Sequence, residues 1–490
     1  MIIRRLVRFI DERLGTTRFA RRALNKAFPD HWSFMLGEIA LYAFVILVLT
    51  GTFLAFFYNP SGRQVTYTGS YAPLRHVRMT LAYRSTLRLS FDVRAGLVMR
   101  QTHHWAALVF IGSIVAHVAR VFFTGAFRRP REINWIVGLT LLVLAMFNGF
   151  TGYSLPDDLL SGTGLRIAYS IILSVPLVGE WAAFLVFGGQ FPSEDILSRL
   201  FVLHIFLVPA LISGLLAAHL AILWRQKHTQ FAGPGRTERN VVGSRLWPTY
   251  AVKSVGLFAL IVAVLAGLGG LVQINPVWLY GPFQPAAVTT AAQPDWYVGW
   301  LEGALRLAPP WEAHVFGGTI SEVFWPGVLL PSVVFGLLYL WPFLERRMTG
   351  DGAEHHLLDR PRDRPVRTGI GVGALTFFAV LLVAGGQDVV ANELGLSVVD
   401  VTHALQVLVW VLPLITGLLA WKWCRDLRAG EPGGGPATAS EPAPRAPAMP
   451  ASGALRHLAT GAGTLGRAVG GAVAGLGAAR HGLGRARRQA

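Results

Sequence analysis

The chain has 490 residues, 53% of them hydrophobic and 14% charged, with a single cysteine, Cys424. One thiol excludes a disulfide scaffold, a CxxC metal ribbon, a cysteine-ligated iron–sulfur cluster and a covalently attached CxxCH haem. Lys and Arg (44) exceed Asp and Glu (27) by 17, but these charges stay out of long apolar runs. That pattern excludes a nucleic-acid binder and fits a polytopic membrane protein whose loops carry the orienting charge.

Taken in chain order, residues 1–33 open with MIIRRLVRFIDERLG, arginines mixed with Ile, Leu, Val and Phe at helical spacing. With no signal-peptide core or cleavage site, this reads as an uncleaved amphipathic helix on the cytoplasmic membrane face. Eight apolar runs follow, near 34–58, 102–124, 134–153, 200–224, 250–272, 323–343, 367–386 and 401–423. Lipid leaves helices as the way to satisfy their backbones, so an all-α protein with eight spans is expected. The apolar stretch near 168–188 is broken by Pro176, Gly179 and Glu180 and reads as a surface-lying helical hairpin. Its alternative is a ninth span.

Loop charge arbitrates between eight and nine. The first 30 residues carry eight basic and three acidic side chains, and Arg225 to Lys253 carries six basic against Glu238. The connections after spans five and seven are acidic, with Asp295, Glu302, Glu312 and Glu322, then Asp388, Glu393 and Asp400. Basic and acidic loops alternate as eight spans require, which puts both termini in the cytoplasm of a cell-membrane protein. Residues 428–490, rich in Gly, Ala, Pro and Ser with scattered arginines, read as a disordered basic tail. The expected organisation is thus 1–33, a four-helix bundle over 34–230, a second membrane part over 231–427, and the tail.

Span two holds His103 and His117, 14 residues apart, and span four holds His204 and His219, 15 apart. At about 100° per residue, 14 residues return within about 40° of one face and rise about 21 Å; 15 residues end about 60° off it. Two such helices side by side offer two stacked His–His pairs, and ionisable groups inside a membrane are functional by default. His104 lies about 220° around from His117 and faces elsewhere, so His103 is the candidate ligand. Gly37 and Gly51 on span one, and Gly138 and Gly152 on span three, repeat the same 14-residue period. Paired glycines let a flat ring approach the backbone, so each level has room for a porphyrin. Arg100 and Arg120, three residues from His103 and His117, suit haem propionates; the alternative for Arg120 is snorkelling to headgroups.

Together these features resemble cytochrome b, the membrane subunit of the quinol:cytochrome c oxidoreductase (cytochrome bc) complex. The resemblance covers about residues 30–425. It rests on the four histidines and four glycines, on RQTHHW and AHVAR in span two, on NWIVG and GYSLP around span three, and on PDWY. The last, Pro294, Asp295, Trp296 and Tyr297, is similar to the family's PEWY motif. HTQFAGPGRTERN and EHHLLDRPRDRPVRT resemble the actinobacterial branch.

The resemblance implies two non-covalent b haems with paired histidine ligands. His103 and His204 would hold the low-potential haem toward the outer face, His117 and His219 the high-potential haem toward the cytoplasm. It implies menaquinol as substrate, with Asp295 accepting a quinol proton beside Tyr297. One electron would go to a Rieske iron–sulfur subunit and the second across the membrane to an inner quinone, building a proton gradient. It further implies a di-haem cytochrome c subunit, an aa3-type oxidase supercomplex, a homodimer of the complex, and lipid contact. Aspartate is one methylene shorter than the motif's glutamate. Asp157 and Asp158 follow Pro156 and are read either as acids helping proton exit or as an ordinary helix start. The inner quinone site matches the family poorly; Glu38, Trp224, Lys227, His228, Lys253 and Ser254 are the candidates, with plain headgroup contact as their alternative. Competing readings are a di-haem anchor of another quinone-linked enzyme and a proton-coupled transporter.

Overall fold

Eight helices among the described residues are long and apolar enough to cross a bilayer: Trp32–Ala55, Gly96–Thr124, Glu132–Ser154, Ile196–Gln226, Leu246–Leu271, Trp325–Thr349, Pro365–Gly385 and Val398–Ala429, here spans 1 to 8. The computed structural model describes residues 2–287, 293–315 and 318–429, and the expected basic tail lies outside them from residue 430. The protein is therefore an all-α, multi-pass membrane protein. Spans 2, 6 and 8 run past their apolar stretches because helical hydrogen bonding does not stop where composition changes. The 168–188 segment is not a ninth span: it divides into Leu159–Leu173 and Gly179–Phe187, 15 and 9 residues long and packed on each other.

Spans 1 and 2 pack along each other, as do spans 3 and 4, and span 5 lies against span 2. Their shared core is a layer of Ala43, Phe44, Phe110, Ile111, Leu142, Ala145 and Ile212, drawn from all four of the first spans. Phe44 and Phe110 meet there with ring centroids 5.6 Å apart. This apolar layer separates the two histidine levels.

Span 4 solves a problem of phase. Its two histidines are 15 residues apart where span 2 has 14. The helix carries one wide, i→i+5 turn at Leu203–Leu207, around His204 itself. Such a turn takes up one extra residue without breaking the helix. It compensates for the extra residue, so a 15-residue gap serves where 14 would keep phase.

On the face bearing the N-terminus, two loops dock by main-chain pairing: Gln230–Phe231 runs parallel to Leu357–Leu358. Arg131 ties them, donating to the carbonyls of His355 (2.6 Å), Lys227 (3.2 Å) and Gln226 (3.3 Å). Beneath them, buried Arg367 donates Nε to both Glu345 oxygens (2.9 and 3.1 Å) and Nη1 to Asp359 (2.9 Å). On the opposite face, helix Trp296–Leu307 packs on span 7, and the strands Gln64–Thr66 and Arg78–Thr80 lead into a buried helix, Leu81–Phe91. The acidic connection after span 5 thus contains a packed helix, Trp296–Leu307.

Candidate functional site

His103 and His204 meet between spans 2 and 4, ring centroids 6.1 Å apart and planes at 71°. Metal–imidazole bonds of about 2 Å on either side, plus the half-width of each ring, span roughly this separation. Each Nδ1 is occupied from behind. His103 Nδ1 meets the Thr50 hydroxyl at 2.9 Å, and His204 Nδ1 meets the Asn148 carbonyl at 3.0 Å and the Thr151 hydroxyl at 3.3 Å. A bond on Nδ1 fixes the ring and leaves Nε2 available to a metal. Thr50 and Thr151 each immediately precede a cradle glycine, Gly51 and Gly152.

The glycines oppose the histidines as the shared period requires. A methyl on Gly51 would stand 3.0 Å from His103 Cε1, and one on Gly152 would overlap the His204 ring. At the other level, the same atom on Gly37 or Gly138 would stand 3.4 Å from Cε1 of His117 or His219. His117 lies within electrostatic reach of His219. The Nδ1 atoms of both are buried without a well-formed hydrogen bond.

These residues fit haem. Arg100 Nε, and Arg120 Nε and Nη2, are buried with no hydrogen-bond partner. Arg100 donates through Nη2 to the Asn275 carbonyl at 3.2 Å, and Arg120 lies over the Phe34 ring at 4.3 Å. Unsatisfied guanidinium atoms one turn from paired imidazoles are what a carboxylate-bearing ring would complete.

The His103 level opens into a cavity of about 570 Å³ lined by Arg100, His104, Tyr153, Asp295 and Tyr297 as well as by the two histidines. It is within the size range of sites for organic ligands and cofactors. Asp295 Oδ2 accepts from the Tyr297 hydroxyl at 3.2 Å, and Oδ1 lies 2.9 Å from His104 Nε2. Tyr297 is buried, which pushes its phenol well above the usual range. A methyl on Gly149 would stand 2.6 Å from the Tyr297 hydroxyl, so this glycine admits the ring. Trp296 is more exposed and meets Tyr297 edge-on at 6.1 Å, while Pro294 leads the chain into the helix.

Asp158 is a helix cap: its Oδ1 accepts from the backbone of Leu160 (2.9 Å) and Ser161 (3.1 Å). Burial raises it to about 6 despite those bonds. Asp157 accepts from the Thr80 hydroxyl at 2.7 Å, and burial pushes it up to about 7.

At the opposite end, a second cavity of about 280 Å³ is lined by Asp30, His31, Glu38, Tyr250, Lys253 and Ser254. Glu38 accepts from the hydroxyls of Ser254 (2.7 Å), Tyr42 (3.2 Å) and Tyr250. Asp30 pairs with Lys253 at 2.7 Å, and the bonds from Lys253 and Ser244 hold its carboxyl below the usual range. Of the six inner candidates, Glu38, Lys253 and Ser254 line the cavity. Trp224, Lys227 and His228 do not: Trp224 lies under the Lys26 ammonium at 4.0 Å, Lys227 donates to the Arg239 carbonyl at 3.3 Å, and the His228 ring packs on Phe28 at 4.4 Å. Burial among Lys26, Arg131 and Arg120 pushes His228 down to about 4.

A cytochrome b subunit of the cytochrome bc1 complex of Mycobacterium leprae (strain TN) is 51% identical over 431 residues, covering 88% of this chain and 78% of that one. The chain belongs to this cytochrome b family. The subunit of the same description from Streptomyces coelicolor is 49% identical over 425 residues, 86% of this chain and 78% of that one. The profile described as cytochrome b(N-terminal)/b6/petB matches residues 108–282. A solved structure described as a hyperthermophilic respiratory Complex III has the same fold, with a TM-score of 0.61 at 20% identity over 85% of this chain and all of that one. Membership of the cytochrome b family displaces the anchor and transporter readings, and the paired histidines, glycines and PDWY segment are the features of this chain that carried the resemblance.

Proposed function

We propose that the chain is the di-haem subunit of a respiratory menaquinol:cytochrome c oxidoreductase, oxidising quinol at the His104–Asp295–Tyr297 cavity and reducing quinone at the Glu38–Lys253 cavity. The observation that carries this reading is the presence of two histidine levels, with the His104–Asp295–Tyr297 cluster at the wall of the His103–His204 void and the Glu38–Lys253 cavity at the other end. When bound, a haem between His103 and His204 and another between His117 and His219 would supply one-electron carriers at two depths, about 21 Å apart along span 2.

The protein's own groups do the rest. Asp295, held at the cavity wall by two donors, accepts the proton of a quinol hydroxyl. Tyr297 keeps its phenolic proton and orients the acceptor. Arg100 and Arg120 would pair with haem propionates, and the Phe44–Phe110 layer puts apolar side chains between the levels. At the other end Lys253, Ser254 and Tyr250 offer donors to a quinone oxygen, with Glu38 and Asp30 as their carboxylates. Basic loops on the N-terminal face support a cytoplasmic location for both termini. Helices Ile2–Leu14 and Thr16–Leu24 carry arginines suited to a lipid surface. The single cysteine requires the Rieske cluster and the c-type haems to reside in partner subunits. A dimer of the complex and an aa3-type oxidase partner belong to the same reading.

The test uses the purified complex. A reduced-minus-oxidised spectrum with two b haems per chain supports the reading, and a haem-free chain ends it. Asp295→Asn should lower quinol oxidation by roughly 10²- to 10⁴-fold, the usual worth of a general base, with both haems retained; unchanged turnover would exclude Asp295 as the acceptor.

A further inference from the structure

We propose that His104 is the positioning residue for Asp295, holding its carboxylate in the quinol cavity and away from its own helix. This rests on the assignment of Asp295 as proton acceptor. His104 follows His103 on span 2 and therefore points about 100° away from it. There its Nε2 meets Asp295 Oδ1 at 2.9 Å, the two side chains being 14% and 17% exposed. The contact joins residues 191 apart in sequence.

Asp295 stands at the N-cap of helix Trp296–Leu307, the place where an aspartate ordinarily accepts from the N–H groups of the first turn. Here its side chain makes no such bond. Both oxygens are turned to other donors, Oδ1 to His104 and Oδ2 to the Tyr297 hydroxyl at 3.2 Å. The carboxylate has two available states, one serving its own helix and one serving the cavity. An aspartate has one methylene fewer than a glutamate with which to serve both. The His104 bond selects the cavity state. Without it, the carboxylate falls back toward the N–H groups at the start of its own helix, the usual partners of an N-cap aspartate, and out of reach of a quinol hydroxyl. The role needs only a proton on Nε2, so it holds for the neutral ring.

The experiment measures quinol-dependent cytochrome c reduction and b-haem spectra in the purified complex for His104→Ala, His104→Gln, His104→Asn, Asp295→Asn and the double variant His104→Ala with Asp295→Asn. Misplacement of an acceptor by about 1 Å costs up to about 100-fold. His104→Ala should therefore lower kcat roughly 10- to 100-fold with KM within about 3-fold and both haems present. Gln, whose amide donates at a similar reach, should recover activity to within about 5-fold of the natural chain, and the shorter Asn should not. The double variant should match Asp295→Asn alone, because His104 acts through Asp295. If His104→Ala fails to assemble, the Gln and Asn variants carry the comparison. Unchanged kcat in His104→Ala, haem loss with it, failure of Gln to rescue, or multiplied losses in the double variant would each overturn the proposal while a defective Asp295→Asn leaves the acceptor assignment standing. Full turnover in Asp295→Asn would remove both.

Discussion

Substituting alanine at the four cradle glycines should separate the two histidine levels. On Gly152 the new methyl overlaps the His204 ring, with Nδ1 and Nε2 each 2.9 Å away and Cε1 nearer still. Carbon contacts settle at about 3.5–4.0 Å, so ring or helix must move by about 1 Å. The ring cannot retreat freely, because Nδ1 is held by the Asn148 carbonyl at 3.0 Å. Metal–ligand distances tolerate only about ±0.2 Å, so a shift of that size removes the ligand. Gly152→Ala should therefore yield a complex with one b haem per chain, the His103–His204 level being empty. On Gly37 the methyl stands 3.4 Å from His117 Cε1, an adjustment of a few tenths of an ångström at most. Gly37→Ala should keep both haems. The assay is haem b per chain by reduced-minus-oxidised absorbance. Equal loss in the two variants, or loss only in Gly37→Ala, would refute the cradle geometry.

Three further outcomes follow from the same structure. His117→Ala should empty the level near the N-terminal face and spare the other, read as one b haem per chain; retention of two would refute its role as a ligand. Arg367→Ala leaves the Glu345 carboxylate buried without its ion-pair partner, while Asp359 keeps Arg128 and Arg364; breaking such a buried pair costs about 3–5 kcal/mol, so the temperature at which the complex loses its b-band should fall by several degrees, and no shift would mean that solvent reaches Glu345. Asp157 holds its proton up to about pH 7, against 3.8 when unfolded. Its folded form thus binds more protons than the unfolded one between those values, so its contribution declines as pH rises through that window, by roughly 4 kcal/mol at most. Asp157→Asn should match the natural chain near pH 4 and exceed it in heat resistance near pH 8; parallel curves would refute the raised titration.

The paired histidines and glycines are legible because they are periodic. His103 and His117, and the glycines at 14-residue intervals, are related by the geometry of one helix each, and helix phase can be counted from a sequence. Even so, the 15-residue gap in span 4 was resolved only by the wide turn at Leu203–Leu207, since nothing in the local composition announces a single i→i+5 turn. The cavity at the opposite end follows no such period. Trp224, Lys227 and His228 follow His219 in sequence yet do not line it, and Lys227 takes a left-handed conformation, φ 66°, where the chain turns at the end of span 4. His31 and Tyr250, which do line that cavity, come from segments more than 200 residues apart, and no spacing rule connects them.

Composition and period alone determined that this chain lies in a membrane, that it carries eight apolar spans, and that two of those spans each present imidazoles at two depths. Those properties follow from hydropathy and from a 100° helical step, which act within single helices. Tertiary structure decided what the polar residues outside that period do. It set His104 against Asp295, Tyr297 against Gly149, and Glu38 against three hydroxyls, because a side chain's partner depends on which helices pack together and on where a loop such as Gln293–Trp296 is returned to the bundle.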